Sequence, residues 1–363
     1  MLPQVKVSVV MSVYNGDRYL RESIESILNQ TFTEFEFIII DDASKDSSWN
    51  ILTEYAHQDQ RVRLFKNDQN IGLTKSLNKG LKLARGEYIA RQDADDVSLP
   101  QRLQKQVELL SKSPEVVLVS CNIDLIDAQG GYIDTQQRSG DRDLIPWYLL
   151  FYNHLAGHSQ VIFRQKPVEK LGYYAQHYRY AQDYELWSRL INVGDIVILP
   201  DVLLQQRRHE QSISAAKQLD QASFSRSQAR HNIKQLLGEE LSLEEVDALY
   251  GFWLGHWCSS FFPASQNAIS IHFRLQEIYR AFILQAATQQ NSSPDLSLRL
   301  RMRIAQQLAC WARNFSLRQE FLLKVKLSIY ILSWHRLTFF GYWFTEIRKI
   351  LQKIPTWRIL NES

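Results

Sequence analysis

The chain has 363 residues, of which 45% are hydrophobic and 22% are charged. These values are ordinary for globular proteins, and the length predicts two domains. They exclude disordered, collagen-like and disulfide-scaffold proteins. The formal net charge is +3, but residues 299–363 hold 12 basic and 3 acidic residues, against 30 basic and 36 acidic in residues 1–298. We therefore expect the basic end of the chain to face an acidic partner surface.

Short apolar runs alternate with amphipathic stretches along the first part of the chain. The runs are typical of buried parallel strands and lie at Val7–Val13, Phe35–Ile40, Val62–Phe65 and Glu87–Ala90. The stretches between them have helical spacing of apolar residues. This alternation predicts an α/β sheet with right-handed crossovers.

The middle of the chain combines strand-like runs with a predicted helix around Tyr184–Ile191 and a predicted hairpin turn at glycines 130–131. Beyond about residue 215, helical periodicity continues to the end of the chain. We therefore predict an α/β domain at residues 1–215 and a helical domain at residues 216–363.

Polar side chains follow the predicted strands where each strand ends. Tyr14 follows the first strand, Asp41 and Asp42 the second, and Asp93 and Asp95 the fourth. Parallel strands place their carboxyl ends on one edge of the sheet, where ligands of open α/β sheets bind. The sequence therefore predicts one ligand site at this edge.

Asp93 and Asp95 are two residues apart, so in an extended segment both carboxylates point the same way. Hard divalent cations prefer oxygen ligands, and Mg²⁺ typically keeps positions open for substrate phosphates. The alternative is an acidic turn or a helix cap ahead of Pro100. The position after a buried strand, on the same edge as Asp41 and Asp42, favours a Mn²⁺ or Mg²⁺ site.

One carboxylate of the pair Asp41 and Asp42 can accept a hydrogen bond from a nucleobase imide or a ribose hydroxyl. The alternative is capping of the next helix, for which Ser44 and Asp46 compete. The 14 glycines form neither GxGxxG nor GxxxxGK[ST]. Dinucleotide binding of the Rossmann kind and P-loop hydrolysis therefore lose their main support.

A series of segments in order resembles family 2 glycosyltransferases of the GT-A fold. They are Val9–Gly16, Ser26–Phe32, Ile39–Ser44, Asn70–Leu73, the DxD-like Asp93–Asp96, His158–Arg164, Ala181–Trp187 and Arg207–His209. The resemblance covers about residues 5–214. It implies a GT-A domain with a Rossmann-like, mixed, mainly parallel sheet, followed here by the α-helical domain.

The resemblance also implies residue roles in a nucleotide-sugar site. The donor-binding residues that it implies are Ser12, Tyr14, Asp42, Lys75, Asp93, Arg207 and His209. Asp95, assisted by Asp93, would hold the metal that bridges the diphosphate, and Asp183 would be the general base. Arg207 and His209 would stabilise the leaving diphosphate. One carboxylate suffices for a single displacement, which inverts the anomeric centre.

The chain departs from the family pattern in several places. Ser12 stands where many members have proline, Gln182 replaces an acidic residue before the base, and Gln206 stands where an aromatic residue is common. The tryptophan of the QxxRW motif is missing after Gln205. No stretch of about 18 uncharged apolar residues predicts a transmembrane helix, and the N-terminus lacks a signal-peptide pattern. We therefore expect transfer of a single sugar by a cytoplasmic protein.

Two aromatic regions leave alternatives open. Four tyrosines before Asp183 fit either packing or a sugar-stacking acceptor wall; they are Tyr173, Tyr174, Tyr178 and Tyr180. Residues 317–363 interleave basic residues with Trp and Phe, which indicates helices on an anionic membrane surface at the cytoplasmic face. The alternative is an ordinary helical domain with a basic face or a partner site. No motif supports nucleic-acid binding.

The sequence thus predicts an inverting, metal-dependent transferase that moves one sugar from a nucleotide sugar, expected to be a UDP-sugar, to a hydroxyl acceptor. The acceptor would be a carbohydrate or a lipid-linked sugar in cell-surface polysaccharide or glycolipid synthesis. Two alternatives are a sugar nucleotidyltransferase, which would need a Gly-rich phosphate loop after the first strand, and a non-catalytic nucleotide-sugar-binding scaffold.

Overall fold

The computed structural model describes residues 5–155, 157–210, 212, 217–255, 262–288, 293–315 and 321–351. The chain divides into two compact units. The first comprises Met1–Leu149 and Asn153–Gln228, and the second comprises Leu150–Tyr152 and Ala229–Ser363. The domain boundary predicted after residue 215 lies inside the first unit. Of the residues discussed above, those at 316–320 and 352–363 lie outside the described residues.

A mixed sheet forms the centre of the first unit. Its strands are β1 Val7–Val13, β2 Phe35–Asp41, β3 Val62–Lys66, β4 Tyr88–Arg91, β5 Val97–Ser98, β6 Val116–Ile126, β7 Tyr132–Gln136, β8 Ile162–Arg164 and β9 Asp195–Arg207. Their order is β3-β2-β1-β4-β8-β6-β9-β5, and β7 pairs with β6. The first four strands in this order are parallel, and β8 joins β4 to β6 in antiparallel fashion. The predicted α/β sheet is confirmed.

Helices cover both faces of this sheet. They are α1 Asp17–Leu28, α2 Ser48–Gln58, α3 Leu73–Leu83, α4 Arg102–Lys112, α5 Ile145–Leu149, α6 Gln165–Lys170, α7 Gln182–Leu190 and α8 Gln218–Leu237, which continues into the second unit. Alternate residues of β1 face opposite sides: Val9 packs in one core cluster and Val10 in the other, with Leu77 of α3. Each such buried aliphatic side chain contributes roughly 1.5–3 kcal/mol.

The carboxyl ends of the parallel strands meet at one edge, as the sequence predicts. The Asp42 N–H donates to the Val13 carbonyl at 2.7 Å, and the Gln92 N–H donates to the Val10 carbonyl at 3.2 Å. The segments that follow β1, β2 and β4 are therefore neighbours, and the polar residues that they carry share this edge.

The structure adds strands that the sequence pattern did not indicate. The predicted hairpin at glycines 130–131 joins β6 to the exposed strand β7, and Gly130 has φ +86°, which favours glycine. The strand β5 is two residues long and pairs with β9. A strand this short has no measurable period, so its sequence cannot be told from a loop.

The second unit is helical, as predicted. Besides the end of α8, its helices are α9 Leu243–Leu254, α10 Ala268–Thr288, α11 Leu296–Ala312, α12 Phe321–Trp334 and α13 Arg336–Leu351. Its core contains large aromatic side chains, among them the fully buried Trp253 and Trp311. In the described ranges, every helix is too short or too polar to cross a membrane.

Candidate active site

The loops after β1 and β2 hold each other in place. The Asn15 N–H donates to Ser44 Oγ at 3.1 Å, the Lys45 N–H donates to Asn15 Oδ1 at 2.8 Å, and the Gly16 N–H donates to Ser48 Oγ at 2.9 Å. Asn15 accepts a left-handed conformation in this turn, with φ 51°. These bonds fix the loop that presents Tyr14, whose side chain is 51% exposed at the sheet edge.

Asp42 is buried at the end of β2 and organises the loop before α3. Its Oδ1 accepts hydrogen bonds from Asn67 Nδ2 at 2.8 Å and from the Ile71 N–H at 2.9 Å. Its Oδ2 accepts from the Gly72 N–H at 2.9 Å. Asp42, which the sequence predicts to bind the nucleotide, therefore also holds the loop before α3 in place, because its carboxylate already accepts hydrogen bonds from three protein donors.

The neighbouring Asp41 is fully buried and is less satisfied. Its Oδ2 accepts from the Ser44 N–H at 3.3 Å, whereas its Oδ1 has no hydrogen-bond partner in the described part of the chain. A buried carboxylate oxygen without a donor is costly, so this oxygen marks a place where a donor group belongs. The sequence alone left open which of the two aspartates has the free oxygen.

The loop that carries Asp93 and Asp95 is pinned from three sides. The Asp93 N–H donates to Ser159 Oγ at 2.9 Å, and Ser23 Oγ donates to the Asp93 carbonyl at 2.7 Å. Gln92 Nε2 donates to the Asp96 carbonyl at 2.8 Å. Because backbone groups of the loop make these bonds, they hold the loop without using the Asp93 and Asp95 carboxylates.

The carboxylates of this loop repel one another. Burial, and then the charge of Asp93, raises the pKa of Asp95, and burial together with Asp95 and Asp93 raises the pKa of Asp96 well above its ordinary value. Arg91 Nη2 pairs with Asp93 Oδ1 at 2.8 Å, and His209 Nε2 lies 2.9 Å from Asp95 Oδ2. A divalent cation would relieve this repulsion, so the residues present fit a metal.

Among the residues that the structure describes, no group of three or more His, Cys, Asp or Glu side chains is arranged to hold a metal ion. The assignment of Asp93 and Asp95 as metal ligands stays a prediction. Magnesium-type sites with one or two carboxylates are completed by substrate phosphates and water.

Arg207 ties the end of β9 to the acidic loop. Its Nε donates to the Asp95 carbonyl at 3.1 Å, its N–H donates to Asp96 Oδ1 at 3.0 Å, and its Nη2 pairs with Glu22 at 2.5 Å. Its guanidinium also lies 4.7 Å from the centre of the Tyr19 ring. Arg207 and His209 thus lie directly beside Asp95, where the sequence resemblance places them.

Asp183 lies in the first turn of α7, after Ala181 in a left-handed conformation with φ 54°. Its Oδ1 accepts the Tyr184 N–H at 2.8 Å, and its Oδ2 accepts from Asn153 Nδ2 at 2.9 Å. Burial raises the pKa of Asp183 to about 6, the two hydrogen bonds lower it, and the charge of Asp93 raises it. Asp183 and Asp93 therefore share one electrostatic environment.

Within the described residues, Ser12 and Lys75 make no hydrogen bond or ion pair with these carboxylates. Ser12 is half-buried in β1. Lys75 is exposed on α3 and lines a cavity of about 480 Å³ with Asn78, Lys79 and Lys82. Their assignment to the donor stays a prediction.

The tyrosines before α7 make packing contacts. Tyr174 is buried and its hydroxyl lies 2.7 Å from His158 Nε2. Tyr178 and Tyr180 pack edge-on against Phe224, with ring centres 5.8 and 5.9 Å apart. These contacts favour the packing interpretation for Tyr174, Tyr178 and Tyr180.

Sequence reasoning missed the residues that support the carboxylates. Asn153, Arg91 and Glu22 contact Asp183, Asp93 and Arg207, respectively. Asn153 and Glu22 are far from their partners along the chain, so no local pattern connects them.

Comparison with known proteins identifies the family of this chain. The family model described as glycosyl transferase family 2 matches residues 8–172. The O-antigen biosynthesis glycosyltransferase WbnJ of Escherichia coli is 34% identical over 68% of this chain and 94% of its own length. A Haemophilus influenzae glycosyltransferase without an assigned substrate is 31% identical over 64% of this chain and 75% of its own. This chain belongs to glycosyltransferase family 2.

Solved structures agree on the fold. Staphylococcus aureus TarS 1–349, in complex with UDP-GlcNAc, superimposes with a TM-score of 0.55 at 17% identity, covering 90% of this chain and 91% of that chain. The predictions of a family 2 glycosyltransferase and of a GT-A domain followed by helices are therefore confirmed.

Proposed function

We propose that the protein transfers one sugar from a nucleotide sugar to a hydroxyl acceptor, with inversion and with a divalent metal. The observation that carries this proposal is the Asp183 carboxylate, which two donors hold and which is close enough to Asp93 for its charge to raise the pKa of Asp183. A base with a pKa of about 6 is ionised at neutral pH and can accept the proton of an attacking hydroxyl. A single displacement needs one such base.

Negative charge develops on the leaving diphosphate, and the other end of the site is suited to receive it. A metal held by Asp95 and Asp93 would neutralise that charge as a Lewis acid. His209 lies beside Asp95 and would donate a hydrogen bond to the diphosphate. Arg207 holds the acidic loop at the required place. Tyr14, Ser12 and Asp42, with the free oxygen of Asp41, would bind the base and ribose, and Lys75 a phosphate.

Similar proteins indicate the donor and the process. TarS was solved with UDP-GlcNAc, which supports a UDP-sugar as donor. WbnJ is named for O-antigen biosynthesis, and AmsE of Erwinia amylovora, 32% identical over 55% of this chain and 75% of its own, is named for amylovoran biosynthesis. These names support a role in polysaccharide synthesis, with a carbohydrate or lipid-linked acceptor.

The donor proposal is tested by incubating the full chain with a panel of UDP-sugars and Mn²⁺ and measuring UDP release with and without sugar acceptors. Proton NMR of the product gives the anomeric configuration relative to the donor. We expect release with one UDP-sugar, loss of it in EDTA, and an inverted product. Retained configuration would contradict the single displacement, and full activity in EDTA would contradict the metal.

Family membership argues against a sugar nucleotidyltransferase. A non-catalytic scaffold would bind the donor tightly and release no UDP from any member of the panel. The same experiment therefore separates a scaffold from an enzyme, provided that donor binding is measured in parallel by calorimetry.

A second property is proposed for the second unit, which carries an exposed apolar ridge on α13. The ridge consists of Leu337, Phe340, Phe344 and Ile347, each at least 49% exposed. Their spacing of three and four residues places them on one helix face. The basic residues Lys326 and Arg336 are exposed nearby in sequence. We propose that this ridge inserts into an anionic membrane surface at its cytoplasmic face.

The structure corrects part of the sequence argument for this surface. The basic residues interleaved with Trp and Phe in residues 317–363 include Lys324, which the sequence pattern predicts to face the membrane, but its side chain is 4% exposed and pairs with Glu346 at 2.9 Å. Trp334 is also buried, and its ring packs edge-on against Tyr279 with centres 5.2 Å apart. Removal of residues 317–363 would therefore damage the core of the unit, and point variants of the ridge are the better test.

The membrane proposal is tested by sedimentation of the full chain with anionic liposomes at low and high salt. Charge attraction adds about 1 kcal/mol per basic residue and is screened by salt, whereas apolar insertion is not. We expect binding that weakens with salt but persists, and its loss in the double variant Phe340→Ser, Phe344→Ser. Phe273→Ser, at a 56% exposed position of α10, is the control. Absence of sedimentation at low salt would contradict the proposal.

A further inference from the structure

Asn153 is the residue outside α7 that contacts the Asp183 carboxylate in the described structure. It lies between α5 and β8, and its Nδ2 donates to Asp183 Oδ2 at 2.9 Å. The other oxygen, Oδ1, accepts the Tyr184 N–H from within the helix. Each carboxylate oxygen thus has one donor, and Asn153 supplies the one that the helix itself cannot provide.

The segment that carries Asn153 is well anchored. The next residue, His154, is buried, stacks on Tyr148 with ring centres 4.3 Å apart, and bonds to the Ser139 carbonyl at 3.0 Å. An amide on such a segment can hold a carboxylate at a fixed angle, because the neighbouring residue is fixed by contacts outside α7.

We propose that Asn153 is a positioning residue for the general base: it fixes the Asp183 carboxylate so that a remaining lone pair of Oδ2 points at the acceptor hydroxyl. This inference rests on the proposed function and adds to it a residue that the DxD and base motifs do not include. Asn153 makes no bond to the acidic loop, so its contribution concerns the acceptor proton and not the donor.

The charges around Asp183 explain why an amide is suited to this position. Asp93 opposes ionisation of Asp183, and the buried Tyr174 hydroxyl and the uncharged His158 ring lie on the same side of the unit. On α7 itself, Glu185 is neutralised by Arg189 at 2.6 Å. A neutral N–H donor stabilises the ionised carboxylate of Asp183. A cation at the same place would lower the pKa of Asp183 further and make it a weaker base.

The test compares Asn153→Ala and Asn153→Asp with a matched control, Asn192→Ala. Asn192 also donates from its amide, to the Ser188 carbonyl at 3.0 Å near the end of α7, but does not contact Asp183. We expect Asn153→Ala to lower kcat about 10- to 100-fold, the range for loss of a hydrogen bond to a charged group, with the donor KM unchanged. Asn192→Ala should keep the kcat of the parent protein.

The pH profile separates positioning from general damage. Loss of the donor raises the pKa of the base, so the acidic limb of kcat should move to higher pH in Asn153→Ala. It should move further in Asn153→Asp, which is nearly isosteric and faces Asp183 with a second carboxylate. Should Asn153→Ala fail to fold, the isosteric variant alone decides.

An unchanged acidic limb in both variants would overturn the role of Asn153. This failure is distinguishable from failure of the proposed function by adding Asp183→Asn. If Asp183→Asn loses turnover while the Asn153 variants keep the parent profile, only the inference falls. If Asp183→Asn retains turnover, Asp183 is not the base and the proposed function falls with it.

Discussion

The two units bury charged groups in different ways. In the first unit, Asp95, Asp96 and Asp183 lie at the open edge of the sheet, and each has a pKa raised by burial. In the second unit, Lys324 and Glu346 are buried against each other, at 2.9 Å. The buried carboxylates of the first unit repel one another, and a bound ligand can supply the compensating charge. The buried charges of the second unit neutralise each other within the protein. We therefore interpret the buried carboxylates without a compensating charge as functional and the buried ion pair as structural.

The largest expected effect is at the acidic edge. Asp95→Ala should reduce transfer to the background level, because it removes the proposed metal ligand and the partner of His209. The fold should survive, since the loop is held by the bonds of Asp93, Ser23 and Ser159. Donor turnover and thermal melting measure the two outcomes. Asp134→Ala, at an exposed position of β7, is the control, and activity in Asp95→Ala above one tenth of the parent would contradict the assigned role.

The next largest effect concerns the base. Asp183→Asn should lower kcat about 10²- to 10⁴-fold, because the near-isosteric amide cannot take up a proton and its single oxygen can accept only one of the two hydrogen bonds. Affinity for UDP should stay within a factor of about three. Calorimetric titration with UDP and Mn²⁺ checks the affinity. If UDP binding collapses with turnover, Asp183 belongs to the donor site instead.

For the ion pair between Lys324 and Glu346 in the second unit, we predict an effect on stability and not on activity. Lys324→Met breaks this buried ion pair, and loss of one member of a buried pair typically costs about 3–5 kcal/mol of unfolding free energy. Chemical denaturation followed by tryptophan fluorescence measures it. Lys326→Met, at an exposed position of the same helix, should cost less than about 0.5 kcal/mol. Equal effects of the two variants would mean that the pair does not stabilise the unit.

The sequence predicts which residues lie at the sheet edge, because the apolar runs that identify parallel strands can be recognised from neighbouring residues alone. Buried parallel strands are apolar on both faces, and their carboxyl ends must coincide, so Tyr14, Asp42 and Asp93 could be brought together without a structure. The partners of these residues depend on which distant segments pack beside them. Asn153 meets Asp183 from another segment, and Arg207 meets Asp96 across 111 positions of the chain.

The same distinction explains the error at Lys324. Its neighbours in sequence are apolar and basic, which is typical of an interfacial helix, and nothing local indicates that Glu346 lies opposite. The exposed ridge on α13 is as apolar as the buried Leu327 and Ile331 of α12. Composition therefore indicates an amphipathic region, but tertiary packing decides which residues face water.

The smallest expected effect is on stability, and its sign follows from the raised pKa. Burial raises the pKa of Asp183 from its ordinary value of 3.8 to about 6 in the folded protein. The folded state therefore binds a proton more tightly, so unfolding free energy falls as pH rises from about 4 to about 6 and then stays level. Asp183→Asn removes this penalty and should stabilise the protein at pH 7.5 by at most about 3 kcal/mol, less because the side chain is half-buried. At pH 4, where Asp183 is protonated in the fold, the gain should vanish. Thermal melts of both proteins at the two pH values measure the difference, and a gain that is equal at pH 4 and pH 7.5 would show that ionisation of Asp183 is not its cause.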